Sequence, residues 1–451
     1  MTFGVDPNDV YHNGHWYDRN GNLIDGGDTR YPTITPSLQL SGISVAPFSS
    51  GGGSLATAIR FQGRIPIQFG QYPVTELRIP VRGTYVPGSV TNTNIPKIYT
   101  VNFAIELSSS FATTSPDVLW GGVATKTVSP GDSLNISDDW CAVNGTIPAG
   151  SKGFLRIDLT VPSAGILTSF FEKYSTSADA LCYWFVLSAS ATNSVNGVGV
   201  LSGTGSGGNT LAMPIICDGL LAKYGDSLHT SMLVLGDSKT IGTGGLDTWK
   251  GKSAISKALT ELNVDYVNYG FSGTLLQSWA ALSQNNYNIA AYTNWVHIGF
   301  PINDITGGRS LAQIQTDLTT LIGKLRAINN AIKIACTKTE PYTDSTDSWA
   351  TAANQNPHLG DSAKYGLTGI LGLYNAWLDT QKTSGLMIDV ILNPNTVCEY
   401  GGSATSALWV PNGTSDGLHP IDRMINTISC AYKSQLISGG LIPNVTYVAA
   451  A

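Results

Sequence analysis

The chain has 451 residues, and 42% of them are hydrophobic, which is enough to bury the cores of two or three domains. Charged residues make up only 12%, the net charge is −6 and no basic stripe is visible, so we expect no nucleic-acid partner. No apolar run reaches the length of a bilayer span, and no basic segment leads into an apolar one, so we expect neither membrane insertion nor a secretory signal.

The first 222 residues carry the pattern of β structure. Residues 1–35 predict a polar leader or docking segment with one small hairpin at the Asn20-Gly21 turn. From residue 36 to residue 222, runs rich in Val, Ile, Thr and aromatic residues are separated by Gly, Pro, Ser and Asn clusters, and run 97–108 alternates most clearly. This part predicts an antiparallel β-sandwich of jelly-roll type, an accessory domain that we expect to bind carbohydrate or position the substrate.

Residues 225–451 alternate between strand and helix patterns, which predicts an α/β domain with a parallel sheet and helices on both faces. The predicted strands are 231–238, which ends in a turn at Ser238, 264–270, 294–300, 331–337 and 385–392. The predicted helices are 253–262, 310–329, 366–383 and 421–438, with Ser310 as a helix cap. Segment 341–365 lacks strong periodicity, so we expect a long loop there, beside the functional edge.

A candidate nucleophile and its base fall at the carboxyl ends of the predicted strands, where ligands of open α/β sheets bind. Ser238 follows the first strand, while Asp416 and His419 lie in the last loop. A serine hydroxyl needs a base to remove its proton, and imidazole titrates near neutral pH. Because Asp416 stands three residues before His419, its carboxylate can reach the other ring nitrogen.

Two further residues are candidates for an oxyanion hole. Gly273 follows the second strand and Asn303 follows the third, so both arrive at the same edge as Ser238. The backbone N–H groups of Ser238 and Gly273 and the side-chain amide of Asn303 are the natural donors to a developing oxyanion. The neighbouring Asp304 is interpreted as structural, holding the loop.

These residues carry a resemblance to a known family. GDS at 236–238, SG at 272–273, ND at 303–304 and DGLH at 416–419 resemble, in order, the four motif blocks of SGNH (GDSL-like) hydrolases. The resemblance covers roughly residues 228–440 and implies a flavodoxin-like three-layer sandwich that hydrolyses esters or deacetylates carbohydrate. The third block differs from the family's G-x-N-D, because Pro301 replaces the glycine, so the turn that carries Asn303 is expected to differ.

The function we expect is that of a serine esterase that removes O-acetyl groups from a carbohydrate or polysaccharide through an acyl-enzyme. A polar, uncharged composition, the preceding β domain and the lack of an apolar lid favour sugar over lipid. The leader and the Gly/Ser/Thr/Asn-rich β region also resemble bacteriophage tail proteins, which implies an extracellular or virion location and a homotrimer; the cytoplasm is the alternative location. Two other functions stay open: an esterase of short acyl chains on small molecules or lipids, and a non-catalytic glycan-binding virion protein.

Several further residues are assigned an expected role or environment. Tyr342, Trp349 and His358 lie in segment 341–365 and are candidate substrate-binding residues, with ordinary packing or solvent exposure as the alternative. Lys239 is expected to point to solvent and His297 to lie in the core. The six cysteines form no CxxC pair, so we expect reduced cysteines packed in cores, and no motif implies a metal or another cofactor.

Overall fold

The computed structural model describes residues 230–441 except 245–252, 263, 271, 386, 402 and 404. In the amino-terminal half it describes separate strands together with residues 119–120 and 123–128. None of the helices in these described parts has the length and the apolar character that crossing a bilayer requires.

The described strands of the amino-terminal half pair in antiparallel sheets. The five-stranded sheet has the order Lys126–Val128, Tyr99–Glu106, Lys152–Val161, Ile59–Gln68 and Tyr183–Ser188. The four-stranded sheet has the order Cys141–Ile147, Val74–Arg78, Leu221–Tyr224 and Ser37–Leu38. The two-stranded pairs are Val10–His12 with His15–Tyr17, Gly53–Leu55 with Gly165–Leu167, Pro80–Val81 with Asn135–Ile136, Thr84–Tyr85 with Thr93–Asn94, and Phe171–Glu172 with Met213–Pro214.

The predicted β structure of this half therefore agrees with the described strands, and run 97–108 forms the strand Tyr99–Glu106. The hairpin predicted at the Asn20-Gly21 turn lies outside the described residues. The packing of the sheets as a jelly-roll sandwich and the domain boundaries 36–222 and 225–451 stay predictions.

The carboxyl half holds the candidate site. Its strands are β1 Ser231–Gly236, β2 Asp265–Gly270, β3 Trp295–Gly299, β4 Lys333–Thr337, β5 Thr343–Ser345, β6 Gln355–Pro357 and β7 Val390–Leu392. Its α-helices are α1 Ser238–Ile241, α2 Ala254–Glu261, α3 Leu276–Ala281, α4 Ile302–Thr306, α5 Leu311–Ile328, α6 Ser362–Tyr365, α7 Ile370–Thr383, α8 Asn395–Cys398 and α9 Asp422–Ser438. Within the described residues of this half, two 3₁₀ helices span Gln284–Tyr292 and His358–Gly360.

Five parallel strands form the central sheet in the order β2-β1-β3-β4-β7, which confirms the predicted parallel α/β domain. Apart from the antiparallel β5–β6 hairpin, this is the 2-1-3-4-5 order of flavodoxin-like folds. The winding reverses between β1 and β3, and the crevice at their carboxyl ends is where such sheets bind ligands.

Helix caps explain why two of the predicted helices match the structure closely. The Ser253 hydroxyl accepts a hydrogen bond from the N–H of Ser256 and starts α2. Ser310 and Gln313 form a capping box that starts α5, whose buried stripe is Ile314, Leu318, Leu321, Ile322 and Leu325. The last predicted strand is shorter than expected, because only Val390–Leu392 pairs with β4.

Segment 341–365 is not the long loop that the sequence predicts. It contains the β5–β6 hairpin, the second 3₁₀ helix and α6. Polar side chains fold it locally, since the Asp347 carboxylate accepts hydrogen bonds from the hydroxyl of Thr351 (2.6 Å) and the amide of Asn354 (3.0 Å). Because these contacts join polar residues, the sequence of the segment shows no periodic pattern of hydrophobic residues.

The described cysteines divide between core and surface. Cys336 and Cys398 are buried and free, as expected, whereas Cys430 is free but exposed. Cys430 lies on α9, whose buried face is formed by other residues, including Met424, Ile428 and Tyr432.

Candidate active site

Ser238 starts α1 directly after β1, and a ring of glycines brings this helix close to the sheet. A Cβ atom on Gly236, Gly270 or Gly299, at the ends of β1, β2 and β3, would lie 1.8, 2.8 or 3.0 Å from side-chain atoms of Thr240. The three glycines therefore make room for Thr240 of α1. Ser238 is thereby held over the carboxyl ends of the strands, with 4% of its surface exposed.

The structure brings Ser238, His419 and Asp416 together from distant parts of the chain. The Oγ of Ser238 lies 2.9 Å from Nε2 of His419, although 181 residues separate them. The Nδ1 of His419 lies 2.6 Å from Oδ2 of Asp416. In the tautomer that this geometry favours, Nδ1–H donates to Asp416 and Nε2 accepts the hydroxyl proton of Ser238.

Backbone hydrogen bonds hold the turn that carries Asp416 and His419. Oδ1 of Asp416 accepts from the N–H groups of Leu418 (2.9 Å) and His419 (2.7 Å). Burial raises the pKa of the Asp416 carboxyl, but the hydrogen bonds from the His419 ring and from these N–H groups outweigh it and hold the pKa well below its usual range. Asp416 is therefore ionised at neutral pH and orients the imidazole.

Sequence reasoning missed Thr414, which closes the same turn. Its buried hydroxyl accepts from the N–H of Gly417 (3.0 Å) and donates to the carbonyl of His419 (2.7 Å). A threonine two residues before an aspartate in a turn-rich segment is the signal that could have suggested it, because Ser and Thr hydroxyls commonly bond nearby backbone groups.

The β5–β6 hairpin packs on this turn at Gly417. The Gly417 carbonyl accepts from the N–H of Thr343 (3.0 Å) and from the indole N–H of Trp409 (2.8 Å). A Cβ on Gly417, whose φ is 80°, would lie 1.8 Å from the Thr343 carbonyl oxygen and 2.8 Å from Cζ2 of Trp349. The Trp349 ring, a candidate for substrate binding, thus lies beside the catalytic turn, and its N–H donates to the Thr343 hydroxyl (3.0 Å).

Gly244 packs against His419 from another direction. Its φ is 100°, and a Cβ there would lie 2.7 Å from Cβ of His419 and 2.6 Å from the carbonyl oxygen of Pro420. His419 is therefore held between the segment that follows α1 and the turn that precedes α9.

The three candidate oxyanion donors lie at one edge of the sheet. Gly273 has a φ of 74°, and a Cβ there would meet no atom within 4 Å, so the space beside it is open. The Nδ2 of Asn303 donates to the carbonyl of Thr274 (3.1 Å), which ties α4 to the loop that carries Gly273. Because Nδ2 carries two hydrogens, the second can point to an oxyanion.

Asp304 has the structural role expected for it. Its carboxylate accepts from the N–H of Leu276 (2.8 Å) and the N–H of Gln277 (3.0 Å), at the start of α3. Burial raises the pKa of Asp304 to about 6, although these hydrogen bonds oppose the shift. This contact fixes α4 against α3, and with it the position of Asn303.

Aromatic side chains extend from the hairpin towards α4. The rings of Tyr342 and His358 stack with centroids 3.9 Å apart, and the edge of Tyr365 lies 5.1 Å from Tyr342. Nδ1 of His358 lies 2.8 Å from Oδ1 of Asp344, and the Tyr365 hydroxyl donates to Thr306 of α4 (3.3 Å). His358 is thus half-buried rather than solvated, since only 21% of its side chain is exposed.

The expectation that Lys239 points to solvent is wrong. Its Nζ lies 2.9 Å from Oε2 of Glu340, and only 11% and 8% of the two side chains are exposed. A buried carboxylate attracts the lysine across the crevice, which no local pattern reveals. His297 lies in the core as expected, with Nε2 2.6 Å from the Thr337 hydroxyl, and burial lowers its pKa to about 3.

Residues 234–424 match the family model described as GDSL-like Lipase/Acylhydrolase. No curated protein matches the chain. Among solved structures, a carbohydrate acetylesterase from Sinorhizobium meliloti is 13% identical, covering 46% of this chain and 99% of its own, with a TM-score of 0.34. A member of the lipolytic protein G-D-S-L family from Veillonella parvula is 15% identical over 46% of this chain and 97% of its own, with a TM-score of 0.30. A family two carbohydrate esterase from Clostridium thermocellum, in complex with cellohexaose, is 12% identical over 89% of this chain and 99% of its own, with a TM-score of 0.34.

Proposed function

Since residues 234–424 form a domain of the GDSL-like lipase/acylhydrolase family, we propose that this chain is a serine esterase that removes O-acetyl groups from a carbohydrate through an acyl-enzyme. The observation that supports the proposal most is the contact of 2.9 Å between Oγ of Ser238 and Nε2 of His419. Asp416 on the opposite ring nitrogen, 2.6 Å away, completes the geometry that a serine nucleophile needs.

In the first half of the reaction, the Ser238 oxygen attacks the acyl carbon while its proton passes to Nε2 of His419. The ionised Asp416 stabilises the imidazolium that forms. The carbonyl oxygen becomes an oxyanion and accepts hydrogen bonds from the N–H groups of Ser238 and Gly273 and from the amide of Asn303. The open space beside Gly273 lets the acyl group approach that N–H closely.

In the second half, the intermediate collapses and the bond between the acyl carbon and the sugar oxygen breaks. Nε2–H of His419 gives its proton to the leaving sugar oxygen, and the acetyl group stays on Ser238. A water molecule then attacks the acyl-enzyme while His419 takes its proton. Acetate leaves, and Ser238 regains its proton from His419.

A sugar substrate is favoured by the composition and by the aromatic pair beside the catalytic turn. The chain is only 12% charged, so much of its polar surface consists of uncharged groups suited to neutral hydroxyls. The stacked rings of Tyr342 and His358 present apolar surface next to the Asp344 carboxylate, a combination that suits the mixed apolar and hydroxyl faces of a pyranose ring. We assign sugar contacts to Tyr342 and His358, and we assign Trp349 to supporting the Gly417 turn.

A glycan-binding role for residues 36–222, the virion location and the trimer stay predictions.

The deciding experiment is acetate release from a panel of acetylated polysaccharides, with Ser238→Ala as the control. Release by the parent and none by the variant supports the proposal. Hydrolysis of aryl acetates without release from any polysaccharide would favour the small-molecule esterase instead. If Ser238→Ala retained the full biological effect of the parent, the chain would act as a glycan-binding protein.

A second comparison tests the sugar contacts. Tyr342→Ala and His358→Ala should raise KM for the polysaccharide about tenfold and leave aryl acetate hydrolysis close to the parent, because we expect these rings to contact the sugar part of the substrate and not its acyl group. Leu373→Ala, at an exposed apolar position on α7, is the control and should change neither activity. Equal loss on both substrates would remove the two rings from the sugar site.

A further inference from the structure

A buried ion pair stands directly behind the candidate nucleophile. Lys239 follows Ser238 in α1, and its ammonium lies 2.9 Å from the Glu340 carboxylate, with both side chains almost fully buried. The carboxylate of Asp237, on the other side of Ser238, is also buried and accepts a hydrogen bond from the N–H of Lys239 (3.0 Å). Burying charged groups costs free energy even when they are paired. The presence of this pair next to Ser238 therefore points to a role in the site.

Glu340 is a fixed anchor rather than a mobile surface carboxylate. The neighbouring Thr339 donates its N–H to Oδ1 of Asn375 (2.8 Å), and its carbonyl accepts from the side-chain amides of Asn375 (2.9 Å) and Asn395 (3.1 Å). Helix α1 has only four residues and cannot be rigid by itself. Lys239 thus ties the short helix that carries Ser238 to a braced segment at the end of β4.

The pair is also part of a cluster of charged groups near the catalytic histidine. Asp237, Lys239 and Glu340 line one cavity of about 40 Å³, and Asp237 interacts electrostatically with His419. The other titratable groups that face the pair are Cys398, Tyr432 and His297, and burial favours the neutral form of each. Lys338 lines the same cavity and is paired with Asp379 at 2.7 Å. With Asp237 ionised and Lys338 balanced by Asp379, the other three charged groups of the cavity wall, Asp237, Lys239 and Glu340, sum to −1.

We infer that Lys239 and Glu340 are positioning residues of the catalytic centre, which hold the Ser238 helix in place and keep their opposite charges balanced near His419. The inference rests on the proposed serine esterase activity. His419 gains a proton during attack, so each added negative charge nearby favours the protonated ring, and each added positive charge opposes it. Lys239 and Glu340 therefore offset each other's effect on the protonation of the base, and removal of either charge alone upsets that balance.

The test is the pH dependence of two reactions: aryl acetate hydrolysis, and covalent labelling of Ser238 by a fluorophosphonate probe. Lys239→Met removes a positive charge and should move the acid limb of both profiles to higher pH. Glu340→Gln removes a negative charge and should move it to lower pH. Each shift should be about half a pH unit at most, because Asp237, whose pKa is lowered by Lys239 and raised by Glu340, compensates part of each charge change.

The double variant Lys239→Met/Glu340→Gln has the parent's net charge and should return the acid limb to the parent's position, even where the plateau rate stays low. Lys239→Arg keeps the charge and should leave the limb in place. Lys333→Met is the matched control, because it breaks an ion pair with Asp389 (2.9 Å) at the opposite end of β4, and it should change neither profile.

Opposite shifts in the two single variants would support the inference, since misfolding alone would lower both plateaus without separating the limbs. Shifts in the same direction, or no shift in variants whose thermal unfolding shows them to be folded, would overturn it. Failure of the proposed function is distinguishable, because the parent itself would then neither hydrolyse the ester nor react with the probe.

Discussion

Replacing Gly417 by alanine should disable the site without unfolding the domain. The new Cβ would lie 1.8 Å from the Thr343 carbonyl oxygen and 2.8 Å from the Trp349 ring, where ordinary contacts need about 3.5 Å. The turn and the hairpin must therefore separate by more than about 1 Å. Since a misplacement of about 1 Å can cost roughly 100-fold in rate, we expect kcat/KM to fall by about that factor.

The control for this prediction isolates the backbone contribution. Gly417 has a φ of 80°, so alanine is strained there by about 1 kcal/mol even without a clash. Gly385 has a φ of 66° and open space around its Cβ position, so Gly385→Ala carries a similar strain alone. We expect kcat/KM of Gly385→Ala for an aryl acetate to match the parent's, with a comparable small fall in Tm. If Gly417→Ala stayed within about threefold of Gly385→Ala, the hairpin would not position the turn.

Four further measurements test the site. Ser238→Ala and His419→Ala should each abolish ester hydrolysis while the thermal unfolding curve stays that of the parent. Asp416→Asn should lower kcat at least about tenfold, because it disturbs the tautomer of the imidazole. Asn303→Ala should lower kcat by about 100-fold or more with little change in KM, and an unchanged kcat would remove it from the oxyanion hole. Burial raises the pKa of Asp237 from 3.8 to about 6, so its neutral form stabilises the fold below about pH 4, and that stabilisation is lost as the pH rises through 6. Between pH 4 and pH 8 the unfolding free energy of the parent should therefore fall relative to Asp237→Asn, by up to about 3 kcal/mol in urea titrations.

Where the fold depends on local chemistry, the sequence predicts it well. The helices α2 and α5 start where Ser253 and Ser310 stand, because a serine hydroxyl satisfies the free N–H groups of a first turn. The contact between Ser238 and His419 also follows from the pattern, since strands of one parallel sheet deliver their following loops to one edge. Their order in the chain and the residue types were enough to place them together.

The surroundings of that contact depend on residues that are far apart in the chain, and no short stretch of the sequence reveals which of them pair. Glu340 lies 101 positions from Lys239, and nothing in either neighbourhood marks the other as its partner. The hairpin formed by residues 343–357 follows from the hydrogen bonds of Asp347 with polar neighbours, which produce no apolar period. The sequence shows Trp349 only as an aromatic residue in a polar segment, and its position beside Gly417 is visible only once the hairpin has folded back on the turn.

The two halves of the catalytic pair are held in physically different ways. Ser238 belongs to a helix whose Thr240 fits among the glycines of three central strands, so its position is set by the core together with the Lys239–Glu340 ion pair. His419 belongs to a surface turn held by Gly244 on one side and by the hairpin at Gly417 on the other. A change in the core contact must disturb the sheet, whereas a change in the hairpin can move the base alone. A displacement of one catalytic side chain that leaves the sheet undisturbed is therefore expected on the side of the base.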